Sequence, residues 1–232
     1  MIKYPGKRIS IVIPVLNESG ILRNTLTQLR LSENEELIIV DGGSSDDTES
    51  IAHDFTDKVF TAKSGRASVM NFGASKAEGD ILLFLHADCS LPQEAFGMIR
   101  NTLSNDGIAA GAFDLGIESF QFRYRIIEYA ANIRARVTRL MYGDQGMFLR
   151  KGVFDQIGGF ADIPLMEDIE ISKRLKKLGK IVFVKPPIQA SPRRWLNEGL
   201  LYTTLRDWTI AFLYTFIKAS PEKLITHYRN VR

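Results

Sequence analysis

The chain has 232 residues, 45% of them hydrophobic and 25% charged, with a formal net charge of +3. Those values fit one soluble globular domain with a substantial core, and so small a positive surplus gives no argument for a nucleic-acid partner; none is expected. The single cysteine, Cys89, excludes an internal disulfide framework. It fits a reducing compartment, and the opening MIKYPGKRIS lacks the apolar core of a signal peptide, so a cytoplasmic location is expected.

Taken in chain order, strand and helix signals alternate. ISIVIP (9–14) is a β-branched run of the kind buried on both faces of a sheet. ESGILRNTLTQLRL then places Ile21, Leu22, Thr25, Leu26 and Leu29 at helical spacing. ELIIVD (36–41) predicts a second strand, and SSDDTESIAHDF opens a helix with residues suited to capping it. KVFTA predicts a third strand, RASVMNFGASKA a helix, and DILLFLHAD a fourth strand. PQEAFGMIRNTL begins a helix with Pro92 in its first turn. Beyond residue 110 come a strand in IAAGAFDLGI, a long helix over 120–141, and a strand leading to a helix in GMFLRKGVF. EDIEISKRLKKLG predicts a helix with Ile171, Leu175 and Leu178 on one side and Gly179 as its stop, and KIVFVKP a last strand. This alternation predicts an α/β fold with a mostly parallel central sheet and helices on both faces.

In an open parallel sheet, ligands bind beyond the carboxyl ends of the strands. After the first strand stand Pro14, Asn17 and Glu18; after the second, Asp41, Gly42, Gly43, Ser44 and Asp46. Gly65 and Arg66 follow the third, and His86 and Asp88 the fourth. Any one of these is explained as a cap or turn residue, but four strand ends doing so together point to a ligand. VDGGSSDDT is not a G-x-G-x-x-G loop, and no G-x-x-x-x-G-K-[ST] occurs, which argues against a dinucleotide site and a P-loop. An Asp past a strand can accept hydrogen bonds from a base or ribose, an Arg can answer a phosphate, and Asp88 can hold a hard dication. A nucleoside diphosphate carrying a further group satisfies all three demands.

ISIVIPVLNES, LIIVDGGSSDDT, GRASVMNFGASKAEGDILLFLHAD and MEDIEISKRLKKLG, in that order and spacing, resemble the successive motifs of family 2 glycosyltransferases with the GT-A fold. The resemblance spans roughly residues 8–185, and the short chain and the LHAD variant are similar to the small, mostly bacterial branch. It implies an enzyme that moves a sugar from a nucleoside-diphosphate sugar, with inversion. It also implies the roles that follow. Pro14, Asn17 and Glu18 line the nucleotide pocket; Asp41 binds the base, with Ser44 and Asp46 in the same loop. Gly65, Arg66 and Ala67 approach a uracil-type base and the phosphate, and Asn71 matches the family Asn. The D-x-D metal motif falls on His86, Ala87 and Asp88, so Asp88 is the expected ligand of Mg²⁺ or Mn²⁺. His86 departs from the motif and is open between metal, ribose and packing. Glu167 and Asp168 match the pair that supplies the catalytic base, with Asp168 the candidate at the start of a helix whose dipole favours a carboxylate.

YGDQGMFLRKGVF offers Gly143, Asp144 and Gln145 as donor-sugar or acceptor contacts, or as a plain turn. SPRRW, just past the last strand, offers Arg194 to a diphosphate and Trp195 to a sugar ring; a solvated loop is the alternative. The arginines of the 120–141 helix and the apolar stretch 200–218 point either to a peripheral contact with the inner face of a membrane or to a core helix and a homodimer contact. The former fits a lipid-linked or membrane-proximal acceptor. The resulting division is a transferase domain at 1–190, its nucleotide half about 1–110 and its acceptor half about 111–190, and a C-terminal helical extension at 191–232. A nucleotidyltransferase and a non-catalytic sugar-nucleotide-binding protein are the rival readings.

Overall fold

The structure, a computed structural model, describes residues 6–63 and 65–227; the first and last five residues, including the end of the expected extension, lie outside it. The first half runs β1 (Ile9–Val15), α1 (Ser19–Gln28), β2 (Glu35–Asp41), α2 (Thr48–His53), β3 (Val59–Thr61), α3 (Arg66–Lys76) and β4 (Ile81–Phe84). Then come β5 (Cys89–Ser90), α4 (Ala95–Leu103), β6 (Ile108–Ile117), α5 (Phe122–Thr138), β7 (Met147–Arg150) and α6 (Lys151–Gln156). The chain closes with α7 (Glu167–Leu175), β8 (Lys180–Ala190), α8 (Arg193–Glu198), α9 (Leu200–Phe212), a π-helical turn Leu213–Ile217 and α10 (Pro221–Leu224).

One eight-stranded sheet joins these strands in the order β3-β2-β1-β4-β7-β6-β8-β5. The β-branched runs of β1 and β2 form its buried centre, paired in parallel from Ile9 opposite Glu35 to Val15 opposite Asp41. One apolar layer, with Ile11, Ile13, Leu22 and Ile99, covers one face; the other, with Val12, Val40, Met70 and Phe84, covers the opposite face. Helix α3 lies against β1 and β2 because residue 73 is glycine: a Cβ there would stand 2.4 Å from Val12 Cγ1.

β7 is antiparallel to both β4 and β6, while β6 and β8 run parallel to each other. The reversal leaves β1, β2, β3, β4, β6 and β8 ending on one edge, where β7 begins. The sequence pattern predicts β7 but not its direction, and it does not predict the two-residue β5. Three boundaries differ. α4 starts at Ala95, with Pro92 ahead of it; α5 ends at Thr138 through Arg139 in left-handed conformation (φ 53°); and β8 runs on to Ala190. Leu178 lies past the end of α7 and is 45% exposed, so it does not join Ile171 and Leu175 in the core.

Candidate active site

The common strand edge opens into a cavity of about 260 Å³. Of the residues singled out in the sequence, Pro14, Glu18, Gly65, Arg66, His86, Ala87, Asp88, Gly143, Asp144, Asp168, Arg194 and Trp195 line it. They come from strand ends in both halves of the sheet and from the first turns of α7 and α8.

Asn17, Asp41, Ser44 and Asp46 are not among the lining residues; they build the loops that carry the cavity wall. Asp41 is 2% exposed, and its carboxylate accepts from the N–H groups of Gly43 (3.1 Å) and Ser44 (2.8 Å) and from the Ser44 hydroxyl. Its oxygens are therefore turned into their own loop, which brings Gly42 to the cavity. Asn17, at φ 52°, donates its N–H to Ser44 Oγ (2.8 Å) and accepts from the Ser45 N–H (2.9 Å). Asp46 accepts from the Ser19 and Thr48 N–H groups, and the Thr48 hydroxyl lowers its carboxyl to about 2. Asn71 is a cross-brace: it donates to Phe160 O (2.8 Å) and accepts from the Phe160 N–H (2.9 Å).

The turn Gly143–Gln145 ties the two halves of the site together. Gly143 donates its N–H to Asp168 Oδ2 (2.8 Å), and a Cβ on it would lie 2.6 Å from His86 Nε2 and 3.7 Å from an Arg66 nitrogen. The absence of a Cβ at 143 leaves His86 its place against this turn. Gln145 is buried beneath it, accepting from the Tyr142 N–H (3.0 Å). Glu167 is 2% exposed and lies 3.3 Å from the Arg66 guanidinium, holding that cation at the cavity wall. Burial, and then the charge of Glu167, push the Asp168 carboxyl up to about 7. Burial likewise raises Asp144, with the nearby Asp88 charge adding to it against the pull of Arg134.

Cationic side chains face these carboxylates. Arg193 bridges Glu18 (2.8 Å) and stands 4.0 Å from Asp88. Arg194 pairs with Asp207 (3.3 Å), and Trp195 donates to Thr204 Oγ1 (3.2 Å). Arg134 packs over the rings of Tyr142 (4.0 Å) and Trp208 (5.5 Å). Arg193, Arg134, Tyr142, Asp207 and Trp208 line the cavity but are absent from the candidate set read from the sequence. Arg193 follows a strand end and was legible on that rule; the others sit on α5, α9 and a turn, where only the three-dimensional packing selects them.

Among the described residues, no group of three or more His, Cys, Asp and Glu side chains is arranged to hold a metal. The donor set still fits a hard dication. Asp88 presents a carboxylate to the cavity beside the partly buried, like-charged Asp144, and an ion there would relieve that repulsion while taking its other ligands from diphosphate and water.

The model for the family described as glycosyl transferase family 2 matches residues 10–162. The chain is 25% identical to the probable glycosyltransferase YdaM of Bacillus subtilis (strain 168), an alignment covering 94% of this chain and 60% of that protein. It is 27% identical to the undecaprenyl-phosphate 4-deoxy-4-formamido-L-arabinose transferase of Klebsiella pneumoniae (strain 342), over 65% of this chain and 50% of the relative. The chain thus spans between half and about three fifths of these two relatives. Among solved structures, the mannosyltransferase PcManGT from Pyrobaculum calidifontis, in complex with GDP-Man and Mn²⁺, superposes with a TM-score of 0.69 at 15% identity, covering 97% of this chain and 70% of that one. The fold is the GT-A fold that the sequence resemblance implied.

Proposed function

This chain belongs to glycosyl transferase family 2, and from that premise we propose that it transfers a sugar, with inversion, from a nucleoside-diphosphate sugar to an acceptor hydroxyl. The acceptor oxygen attacks the anomeric carbon, the bond from that carbon to the diphosphate oxygen breaks, and the hydroxyl proton passes to Asp168. Asp168 suits the task because its carboxyl, raised to about 7, is basic enough to take a proton and is still ionised in part at neutral pH. Arg66, steadied by Glu167, answers the phosphates. Asp88, with His86 beside it, would hold Mg²⁺ or Mn²⁺, which when bound neutralises charge on the leaving diphosphate. The acceptor is taken to be lipid-linked or membrane-proximal, a reading supported by the relative named as an undecaprenyl-phosphate sugar transferase. On that reading the enzyme works at the inner face of a membrane.

The observation that carries the reading is that Asp88 and Asp168, far apart in sequence, line one cavity together with Arg66. The test pairs binding with turnover. Nucleoside diphosphates should raise the melting temperature in the presence of Mn²⁺. Asp168→Asn should keep that rise while turnover of the donor falls by a factor of about 10² or more. Turnover equal to that of the unaltered protein would remove Asp168 from the role of base.

A further inference from the structure

Two helices border the cavity, and both turn an apolar stripe outward. α5 contributes Ile127, Ala131 and Arg134 to the lining; α9 contributes Thr204, Asp207, Trp208 and Ala211. On the outer side of α5, Phe122, Ile126, Tyr129, Ile133 and Val137 recur at intervals of three and four and are exposed, Phe122 by 77% and Val137 by 78%. On α9 and its π-helical end, Leu201, Leu205, Trp208, Phe212 and Phe216 repeat the same spacing, Leu201 being 73% exposed. A helix packed against nothing would normally carry polar residues there, and exposed apolar surface of this extent marks an interaction site.

The charge around the stripes selects the partner. Within 122–138 and 193–218, no exposed residue is an Asp or a Glu. The acids those segments contain are drawn inward: Glu128 pairs with Arg125, Glu198 with Arg206, and Asp207 with Arg194. The exposed cations are Arg123, Arg125, Arg136 and Lys218; Arg125 is shared with Glu128 and Arg136 with the buried Asp114, so Arg123 and Lys218 carry the surplus positive charge of this face. A second copy of the chain meeting this face across a two-fold axis would set surplus positive charge against surplus positive charge. An anionic lipid surface is apolar where the stripes are apolar and negative where the rim is positive.

We propose that α5 and α9 together form the face by which the protein seats on an anionic leaflet, with the cavity mouth between them opening toward the lipid. Trp208 belongs to both stripe and cavity lining, at the position where an amphipathic ring meets the boundary between lipid and water. Among the described residues no helix is long and apolar enough to cross a membrane, so seating is lateral: side chains enter the headgroup layer and the backbone stays outside it. An acceptor dissolved in the leaflet then reaches Asp168 without leaving the lipid. That last step rests on the transferase reading; the seating does not.

The experiment is co-sedimentation with vesicles of phosphatidylcholine, with and without phosphatidylglycerol. The protein should bind the anionic vesicles at low salt, with binding weakened but not abolished at high salt. The double variant Ile133→Glu/Leu205→Glu, both sites outside the cavity lining, should bind them roughly a hundredfold more weakly. It should keep its melting temperature and its stabilisation by UDP or GDP with Mn²⁺. Failure of the unaltered protein to sediment, or equal binding by the double variant, overturns the proposal. So does a dimer in light scattering that the double variant splits, which would make a second copy the occupant. Vesicle binding without nucleotide stabilisation would instead overturn the transferase reading and leave the seating intact.

Discussion

Taking water away from an aspartic acid moves its carboxyl toward neutrality, and Asp168, the proposed base, shows what that does to the rest of the molecule. Its ordinary value of 3.8 is raised to about 7, chiefly by burial. Between those values the folded protein holds a proton that the unfolded chain has released. Stability therefore falls as pH rises through that window, and the loss is complete above pH 7. Asp168→Asn, which cannot ionise, should melt higher than the unaltered protein at pH 8, the gap closing toward pH 4. A melting curve for each protein at the two pH values checks this; a gap independent of pH would contradict the assigned shift. For the same reason turnover should rise with pH around an apparent pKa near 7. The sequence names Asp168 through its motif, but burial is what shifts it, and burial is a property of the packed chain. Asp41 teaches the converse. It stands where a base-binding residue belongs, yet its oxygens bond to its own loop, because an Asp after a strand can satisfy nearby N–H groups as readily as a ligand.

At the scale of elements, α8 and α9 are joined by a buried ionic network rather than by apolar packing alone. Arg206, almost fully enclosed, bonds Glu198 (2.7 Å) and Asp207 (3.0 Å), while Asp207 also holds Arg194 at the cavity. The Arg206 hydrogen bond depresses the Glu198 carboxyl below the usual range. Glu198→Ala would leave Arg206 enclosed with half of its compensating charge gone, a loss of about 3 kcal/mol. The melting temperature should fall by roughly 6–10 °C, and Glu198→Gln, which keeps one acceptor, should fall less. An unchanged melting temperature for the alanine variant would show that the network adds nothing. SPRRW, which opens α8, reads in sequence as a ligand contact or a solvated loop, whereas α9 was legible as a helix from its apolar stretch. Which apolar residues face the core was not: Ile210 and Leu201 look alike in the sequence, and one is buried and the other exposed. Strands were easier, since the continuous apolar runs of β1, β2 and β4 fill the core on both faces.

For the molecule as a whole, the sequence pattern conveys the alternation of strand and helix but not that β7 runs backward. Direction is set by pairing between segments far apart in the chain, and local periodicity carries no trace of it. The reversed strand lets β6 and β8 join the same sheet as β1, β2 and β4, so both proposed halves hang on one hydrogen-bonded lattice. Unfolding should therefore be a single cooperative event, with calorimetric and van't Hoff enthalpies equal; two resolved transitions would mean that the halves are separately stable. The brace between Asn71 and Phe160 carries a further consequence. It clips a helix of the first half to the loop ahead of α7 by two bonds of opposite polarity, so the clip reads distance and orientation at once. On the proposed reading, the spacing of the two halves around the donor is thereby set before any substrate arrives, in the way a spacer fixes the opening of a jaw.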